Sequence, residues 1–305
     1  MLDKADEIHH ALDPSMKACA PSAHIELRNG VKLPRCGLGT FKAAGDEVVG
    51  AVSVALRAGI RHIDTAQIYK NEELVSEGIR ASGVPRSEVF VTSKVSPYQQ
   101  GTDKARAACE AMVSRLGGEY VDLALIHWPG ASKTDASSPR NAALRLETWR
   151  VLEEGYRRGA FKAIGVSNYE AHHLAELLAA AEVAPMVNQF ELHPRRQCRQ
   201  LVQLCEQHGV AVVAYASLGC GDLLGHPTVI KVAQQLGWEP AQVLLRWGLQ
   251  KGAAVIPKSV RPARIAGFAP GALLGPGSRI PDAQMRALDG MEDGHKYCWD
   301  ASGIA

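Results

Sequence analysis

Four ionisable residues have types that, brought together, could protonate a carbonyl oxygen: Asp64, Tyr69, Lys94 and His127. A tyrosine with an ordinary pKa of about 10 donates its proton poorly at neutral pH. A lysine ammonium beside it stabilises the phenolate and lowers that pKa, while a carboxylate keeps the ammonium charged and oriented. Such a trio makes a usable general acid. His127, followed by Trp128, adds a hydrogen-bond donor that can orient a carbonyl next to Tyr69. Taken singly, each has a plainer reading: Asp64 with Lys94 is equally a structural salt bridge, and His127 a satisfied rim histidine. No second histidine or cysteine joins them at ligand spacing, so no metal site is expected.

These groups need elements that hold them at one place, and the hydrophobic pattern supplies such elements. After residues 1–22, read as an N-terminal extension, "HIELRNGVKLP" has the alternation of two short strands around Asn29-Gly30, a hairpin signal. Eight short apolar runs follow: "CGLGT", "GIRHID", "VFVTSK", "VDLALIH", "FKAIGVSN", "PMVNQ", "VAVVAY" and "GAAVIPK". Between them lie segments of helical period, many closed by glycine. Near-continuous apolar strands alternating with helices imply a parallel sheet covered on its outer face. The expectation is an α/β chain in which residues 23–305 form a single (β/α)8 TIM barrel, its bottom closed by the hairpin. Almost every run ends in a polar or ionisable residue, among them Asp64, Lys94, His127, Asn168, Gln189, Tyr215 and Lys258. In a parallel barrel those ends share one rim, where active sites of this fold sit. Tyr69 follows Asp64 by five residues, so a loop can fold it back over the aspartate.

Composition excludes several other classes. The formal net charge of +2 gives no reason to expect a nucleic-acid partner. No apolar stretch reaches the 18 or so residues that cross a bilayer. Seven cysteines without a C-x-x-C pair argue against a disulfide framework and for a reducing, cytoplasmic compartment. A Rossmann nucleotide site is not expected either, because "GLGTF" has only two glycines. Lys258 and Arg264, near the last run, could instead bind the extra phosphate of NADPH, although each alone reads more readily as a solvated helix start.

Taken together, "GIRHIDTAQIYKNEE", "KAIGVSNY", "VNQFELHP", "VAYASLG" and "IPKSVRPARI" resemble, in order, the motifs of the aldo-keto reductases, over residues from about 24 to 300. The resemblance implies a monomeric enzyme that moves hydride between NADPH and small aldehydes or ketones, with Asp64, Tyr69, Lys94 and His127 as the catalytic tetrad. It further implies that Ser167, Asn168 and Gln189 hold the cofactor's carboxamide, and that Tyr215 stacks on its nicotinamide. Ser217 and Leu218, in "SLGCGD", would pass over the pyrophosphate. Gly39, Thr40, Asp64, Ile256, Lys258, Ser259 and Arg264 complete the cofactor set. Phe41, Tyr69, His127, Trp128 and Trp299 would line the substrate pocket, though a tail tryptophan can also plug a surface groove.

Some positions depart from the family pattern. Gly267 and Phe268 stand where a Glu-Asn pair often touches adenine, Ala216 where serine is common, and Ser76 where glycine is usual. Phe41 replaces a frequent tryptophan. A second function class uses the same barrel as a nucleotide-sensing regulatory protein, similar to potassium-channel β-subunits. A third would be a metal-dependent barrel hydrolase. The complete tetrad favours the reductase.

Overall fold

A computed structural model describes residues 23–305; the extension read for residues 1–22 lies outside the described residues. Two short strands, β1 (His24–Glu26) and β2 (Lys32–Pro34), pair antiparallel as a hairpin. Its turn is wider than the two-residue form, because Leu27 N–H bonds Val31 O at 2.9 Å outside the ladder and Gly30 takes φ 83°.

Eight parallel strands then follow: β3 (Gly37–Gly39), β4 (His62–Asp64), β5 (Phe90–Val95), β6 (Val121–Ile126), β7 (Phe161–Ser167), β8 (Val187–Glu191), β9 (Ala211–Tyr215) and β10 (Ala254–Val255). They are hydrogen-bonded in chain order from β3 to β10. Two parallel bridges, Cys36 to Val255 and Gly39 to Lys258, bring the ends of the sheet together into a nearly closed barrel. At this seam a side chain on Gly39 would come within 2.9 Å of the Ile256 carbonyl, so only glycine lets the strands meet there.

The helices are α1 (Asp46–Arg57), α2 (Glu72–Ser82), α3 (Thr102–Arg115), α4 (Arg140–Arg157), α5 (Ala171–Ala180), α6 (Arg199–Gln207), α7 (Pro227–Leu236), α8 (Pro240–Gln250), α9 (Pro262–Ala266), α10 (Pro270–Leu273) and α11 (Asp282–Asp289). Among the described residues, no helix is long and apolar enough to cross a membrane.

Strand alternation divides the core in two. On β6, Leu123 and Leu125 join Val187, Val213 and Ala254 inside the barrel, whereas Ala124 and Ile126 pack in the layer under the helices. Leu27 and Leu33 of the hairpin segment belong to the inner cluster, alongside Phe90 and Met186 at strand starts. The hairpin therefore plugs the bottom, and the opposite rim is left for chemistry.

Several strand ends differ from the sequence reading. Lys94 is followed within β5 by Val95, Gln189 is followed within β8 by Phe190 and Glu191, and His127 and Asn168 fall one residue past β6 and β7. Lys258 lies beyond the two-residue β10, held to the barrel by its bridge to Gly39.

Two buried histidines make the fold sensitive to acid. His62 Nδ1 donates to Pro34 O at 3.3 Å and its Nε2 accepts from Thr92 Oγ1 at 2.9 Å, which suits a neutral ring. His173 Nδ1 accepts from Glu170 N–H at 3.2 Å, and Nε2 donates to Ile304 O at 2.9 Å. Burial is the main cause that lowers both rings from 6.5 to about 4. Between those values the unfolded chain binds protons that the folded chain refuses, so stability falls as pH drops through that window. His62 alone is expected to account for roughly 3 kcal/mol by pH 4. Thermal melts between about pH 7 and 4.5 should show a falling Tm, with a shallower fall in a folded His62→Gln variant.

Candidate active site

β4 ends on Asp64, which is buried, and β5 brings Lys94 beside it. The Lys94 ammonium donates to Asp64 Oδ1 at 2.6 Å and to the Thr65 carbonyl at 2.7 Å. Gln189 from β8 donates to the other Asp64 oxygen at 2.7 Å. Burial lowers the Lys94 pKa, and the Asp64 charge and hydrogen bond oppose that shift. An ion pair this deep is retained at a desolvation cost, so it needs a reason beyond stability.

Tyr69 closes a short 3-10 turn, Gln67–Tyr69, directly after the strand. The turn places the Lys94 Nζ 5.2 Å from the centre of the Tyr69 ring. His127, one residue past β6, stands edge-on to that ring with centroids 5.6 Å apart. Asp64, Tyr69, Lys94 and His127 therefore converge. One expectation is corrected here. The Tyr69 pKa is not lowered but pushed well above 10, first by burial and then by the charges of Asp64 and Cys298. The Lys94 charge is largely cancelled by Asp64 at contact distance, so desolvation of the phenolate wins. Burial, followed by the Lys94 charge, drives the His127 pKa well below 6.5. The ring is neutral, and its Nδ1 is buried without a hydrogen-bond partner among the described residues.

Further round the rim, Asn168 takes φ 64° just past β7. Its amide donates to the His127 carbonyl at 2.9 Å and to Ser167 Oγ at 3.0 Å. Its oxygen accepts from the Tyr215 hydroxyl at 2.6 Å, which fixes the Tyr215 ring at the end of β9. Ser167 in turn donates to Gln189 O at 2.9 Å. Thr40, following Gly39, donates its N–H and hydroxyl to the Asp64 carbonyl, each at 3.0 Å. Ser217 is buried, its hydroxyl 3.3 Å from Ala214 O, and Leu218 is half-buried next to it. At the barrel seam Ile256 and Ser259 are buried, whereas Lys258 and Arg264 are exposed. Phe268 is buried in the core, which explains an apolar residue at that position.

Phe41 lies 5.0 Å from Tyr69 and 6.1 Å from Trp299, so the three rings form one wall. Trp128 is half-buried, its carbonyl accepting from Gln100 Nε2 at 2.6 Å.

Sequence reasoning passed over Thr65 and Asn71. Asn71 Nδ2 donates to the Thr40 and Ala43 carbonyls at 3.0 and 3.1 Å, and its Oδ1 accepts from Thr65 Oγ1 at 2.7 Å. These bonds lock the loop that carries Tyr69. The signal was present, since both polar residues lie inside the stretch that holds Asp64 and Tyr69.

The barrel rim thus gathers a buried Asp–Lys pair, a tyrosine and a neutral histidine at one place, where a proton donor could meet a carbonyl oxygen. The model of the Aldo/keto reductase family matches residues 35–270. The chain belongs to the aldo-keto reductase family. It is 46% identical over 245 residues to a 9,11-endoperoxide prostaglandin H2 reductase of Trypanosoma cruzi, covering 79% of this chain and 83% of that one. It is likewise 46% identical over 242 residues to a glyoxal reductase of Bacillus subtilis, covering 79% and 84%. Among solved structures, MGS-M4, an aldo-keto reductase from a Medee basin deep-sea metagenome library, superposes with a TM-score of 0.82 at 35% identity, covering 92% of this chain and 99% of that one. An aldo/keto reductase of Brucella melitensis superposes with 0.81 at 37% identity, covering 88% and 97%.

Proposed function

We propose that this protein reduces the carbonyl of small aldehydes or ketones, keto esters included, at the expense of NADPH, with Tyr69 as the general acid. The observation that carries this reading is the buried Lys94 ammonium, fixed by Asp64 and Thr65 and held 5.2 Å from the Tyr69 ring at the C-terminal rim. A proton relay of this kind needs a donor that stays protonated until a carbonyl oxygen begins to gain charge.

The residues present fit the cofactor. Lys258, Arg261 and Arg264 are exposed and make no ion pair among the described residues, which suits recognition of a 2′-phosphate. Gly39, Thr40, Ser217, Leu218, Ile256 and Ser259 would line its path, and Tyr215 would face its ring. Ser167, Asn168 and Gln189 would hold the carboxamide, which would compete with the bonds that Asn168 makes to Ser167 and Tyr215. NADPH, when bound, supplies the hydride that the carbonyl carbon accepts.

The chain's own groups manage the proton. Tyr69 holds it on the phenolic oxygen, His127 orients the carbonyl as a neutral donor, and Phe41 and Trp299 exclude water from one side. As the carbonyl oxygen gains charge, the Tyr69 O–H bond breaks and a new O–H bond forms on the product alcohol. The Lys94 ammonium stabilises the phenolate left behind, and Asp64 keeps that ammonium protonated. Because burial holds the Tyr69 pKa well above 10, reduction should not decline between about pH 6 and 9 for want of a protonated donor. A pH–rate profile that falls through neutrality would contradict this.

Nucleotide choice gives a separate test. Lys258→Met is expected to weaken NADPH by about tenfold, ~1.4 kcal/mol, and NADH far less. The effect is modest because the lysine is solvent-exposed and screened. Fluorescence titration with both nucleotides measures it, and equal weakening of the two would remove Lys258 from phosphate recognition. The function itself is tested by NADPH oxidation at 340 nm with a panel of aldehydes, ketones and keto esters. The relatives named above include a glyoxal reductase and an endoperoxide reductase, so both substrate types belong in the panel. Tight NADPH binding without turnover on any member would favour the nucleotide-sensing reading instead.

A further inference from the structure

The wall formed by Phe41 and Trp299 depends on where the segment after Met291 is held, and a buried carboxylate outside the tetrad holds it. Glu191 ends β8 two residues beyond Gln189 and is 1% exposed. Its Oε1 accepts the Tyr297 backbone N–H at 2.7 Å and the His193 Nε2 proton at 3.0 Å, and its Oε2 accepts the Cys298 backbone N–H at 3.0 Å. Burial pushes its pKa up, but the bonds from His193, Tyr297 and Cys298 outweigh burial and bring it below the usual carboxylate value. The next residue in the chain is Trp299, which is itself 68% exposed and has little packing of its own to fix it. A second anchor acts on the same segment from outside: the Tyr297 hydroxyl donates to Asp222 Oδ2 at 2.5 Å, with Arg195 at 3.3 Å from that hydroxyl.

We propose that Glu191 is a positioning residue for substrate selection: by capping the Tyr297 and Cys298 amides it sets Trp299 against Phe41, and so sets the preference for carbonyls with aromatic or bulky apolar substituents. This rests on the carbonyl-reductase reading. Charge is what makes the peg. A carboxylate offers acceptors on both oxygens, whereas the amide of a glutamine must turn an N–H towards one of the two backbone N–H groups. A neutral replacement of the same size therefore releases one end of the segment, while the Asp222 anchor keeps the rest docked. The barrel itself does not depend on this contact.

Two readouts test it. In Glu191→Gln, KM for an aromatic aldehyde such as benzaldehyde should rise about tenfold, while kcat with propanal changes less than about twofold. In a Trp299→Ala background the same change should add little to the KM for benzaldehyde, because the two residues act as one unit. Should Glu191→Gln fail to fold, Cys298→Pro removes one of the capped amides from the tail side, leaves the buried carboxylate in place and is expected to raise the same KM. Hydrogen exchange read by mass spectrometry needs no turnover: the Tyr297 and Cys298 amides should both be protected in the wild type, and one of the two should exchange faster in Glu191→Gln. Equal losses on propanal and benzaldehyde, additive effects with Trp299→Ala, or amides that exchange freely in the wild type would each overturn the proposal. A wild type with protected amides and no carbonyl turnover would instead overturn the functional reading on which it rests.

Discussion

Tyr69→Phe is expected to retain NADPH binding and to lose carbonyl reduction by about a hundredfold to ten-thousandfold, since general acid catalysis contributes on the order of 10²–10⁴. The substitution keeps the ring that meets Phe41 at 5.0 Å and His127 at 5.6 Å, so the pocket wall survives. Only the hydroxyl leaves. With no proton donor at that point, charge on the carbonyl oxygen must be neutralised by solvent, in a corner that the aromatic wall shields from it. Loss in kcat with an unchanged nucleotide Kd marks a group that acts in the transition state rather than in binding. Fluorescence titration and steady-state turnover measure the two quantities, and near-normal turnover would take Tyr69 out of the mechanism.

Lys94→Met separates a catalytic network from a structural salt bridge. Removing the ammonium leaves Asp64 buried with Gln189 as its remaining side-chain donor. Stranding a buried carboxylate in this way costs about 3–5 kcal/mol, so a large fall in Tm is expected on either view. The catalytic view adds a second effect. The phenolate that forms on Tyr69 loses the cation 5.2 Å from its ring, so turnover at saturating NADPH should collapse in protein that is still folded. Any residual reduction should have a changed pH profile, because no ammonium then stabilises the phenolate. Asp64→Asn in the Lys94→Met background removes the stranded charge at nearly constant size. It should recover much of the stability and none of the activity. Recovery of both, or wild-type turnover in folded Lys94→Met, would assign the pair a structural role.

The barrel could be read from the sequence because its strands are buried on both faces, so each appears as a short apolar run ending in a polar rim residue. Asp64, Tyr69, Lys94 and His127 were legible for the same reason: each sits close to such an end, and the parallel topology brings those ends together. Where local pattern did not decide, the reading slipped. Lys94 is not the last residue of β5, because Val95 still pairs with Ile126 across the sheet. The direction of the Tyr69 shift depends on how closely Asp64 neutralises Lys94 and on how much water reaches the phenol, and neither follows from residue types. Glu191 and His193 fall in phase with Gln189 at the end of β8, so the alternation hinted at a shared side. The backbone partners of Glu191, though, lie more than a hundred residues away at Tyr297 and Cys298, and nothing local announces that contact. The helices α10 and α11 were not announced by the strand–helix alternation, because they are short and lie behind the last strand.

Isotope transfer tests the central claim most directly. The wild-type protein is supplied with NADPH deuterated at C4 of the nicotinamide, in separate samples for the two faces, together with benzaldehyde. Mass spectrometry and proton NMR then follow the label into benzyl alcohol. A rim that holds cofactor and carbonyl in one fixed relation predicts a single deuterium on the carbinol carbon from one C4 epimer, almost none from the other, and loss of the transfer in Tyr69→Phe. Alcohol formed without label from either epimer, or no alcohol from the wild type alongside saturable NADPH binding, would contradict hydride transfer at this site.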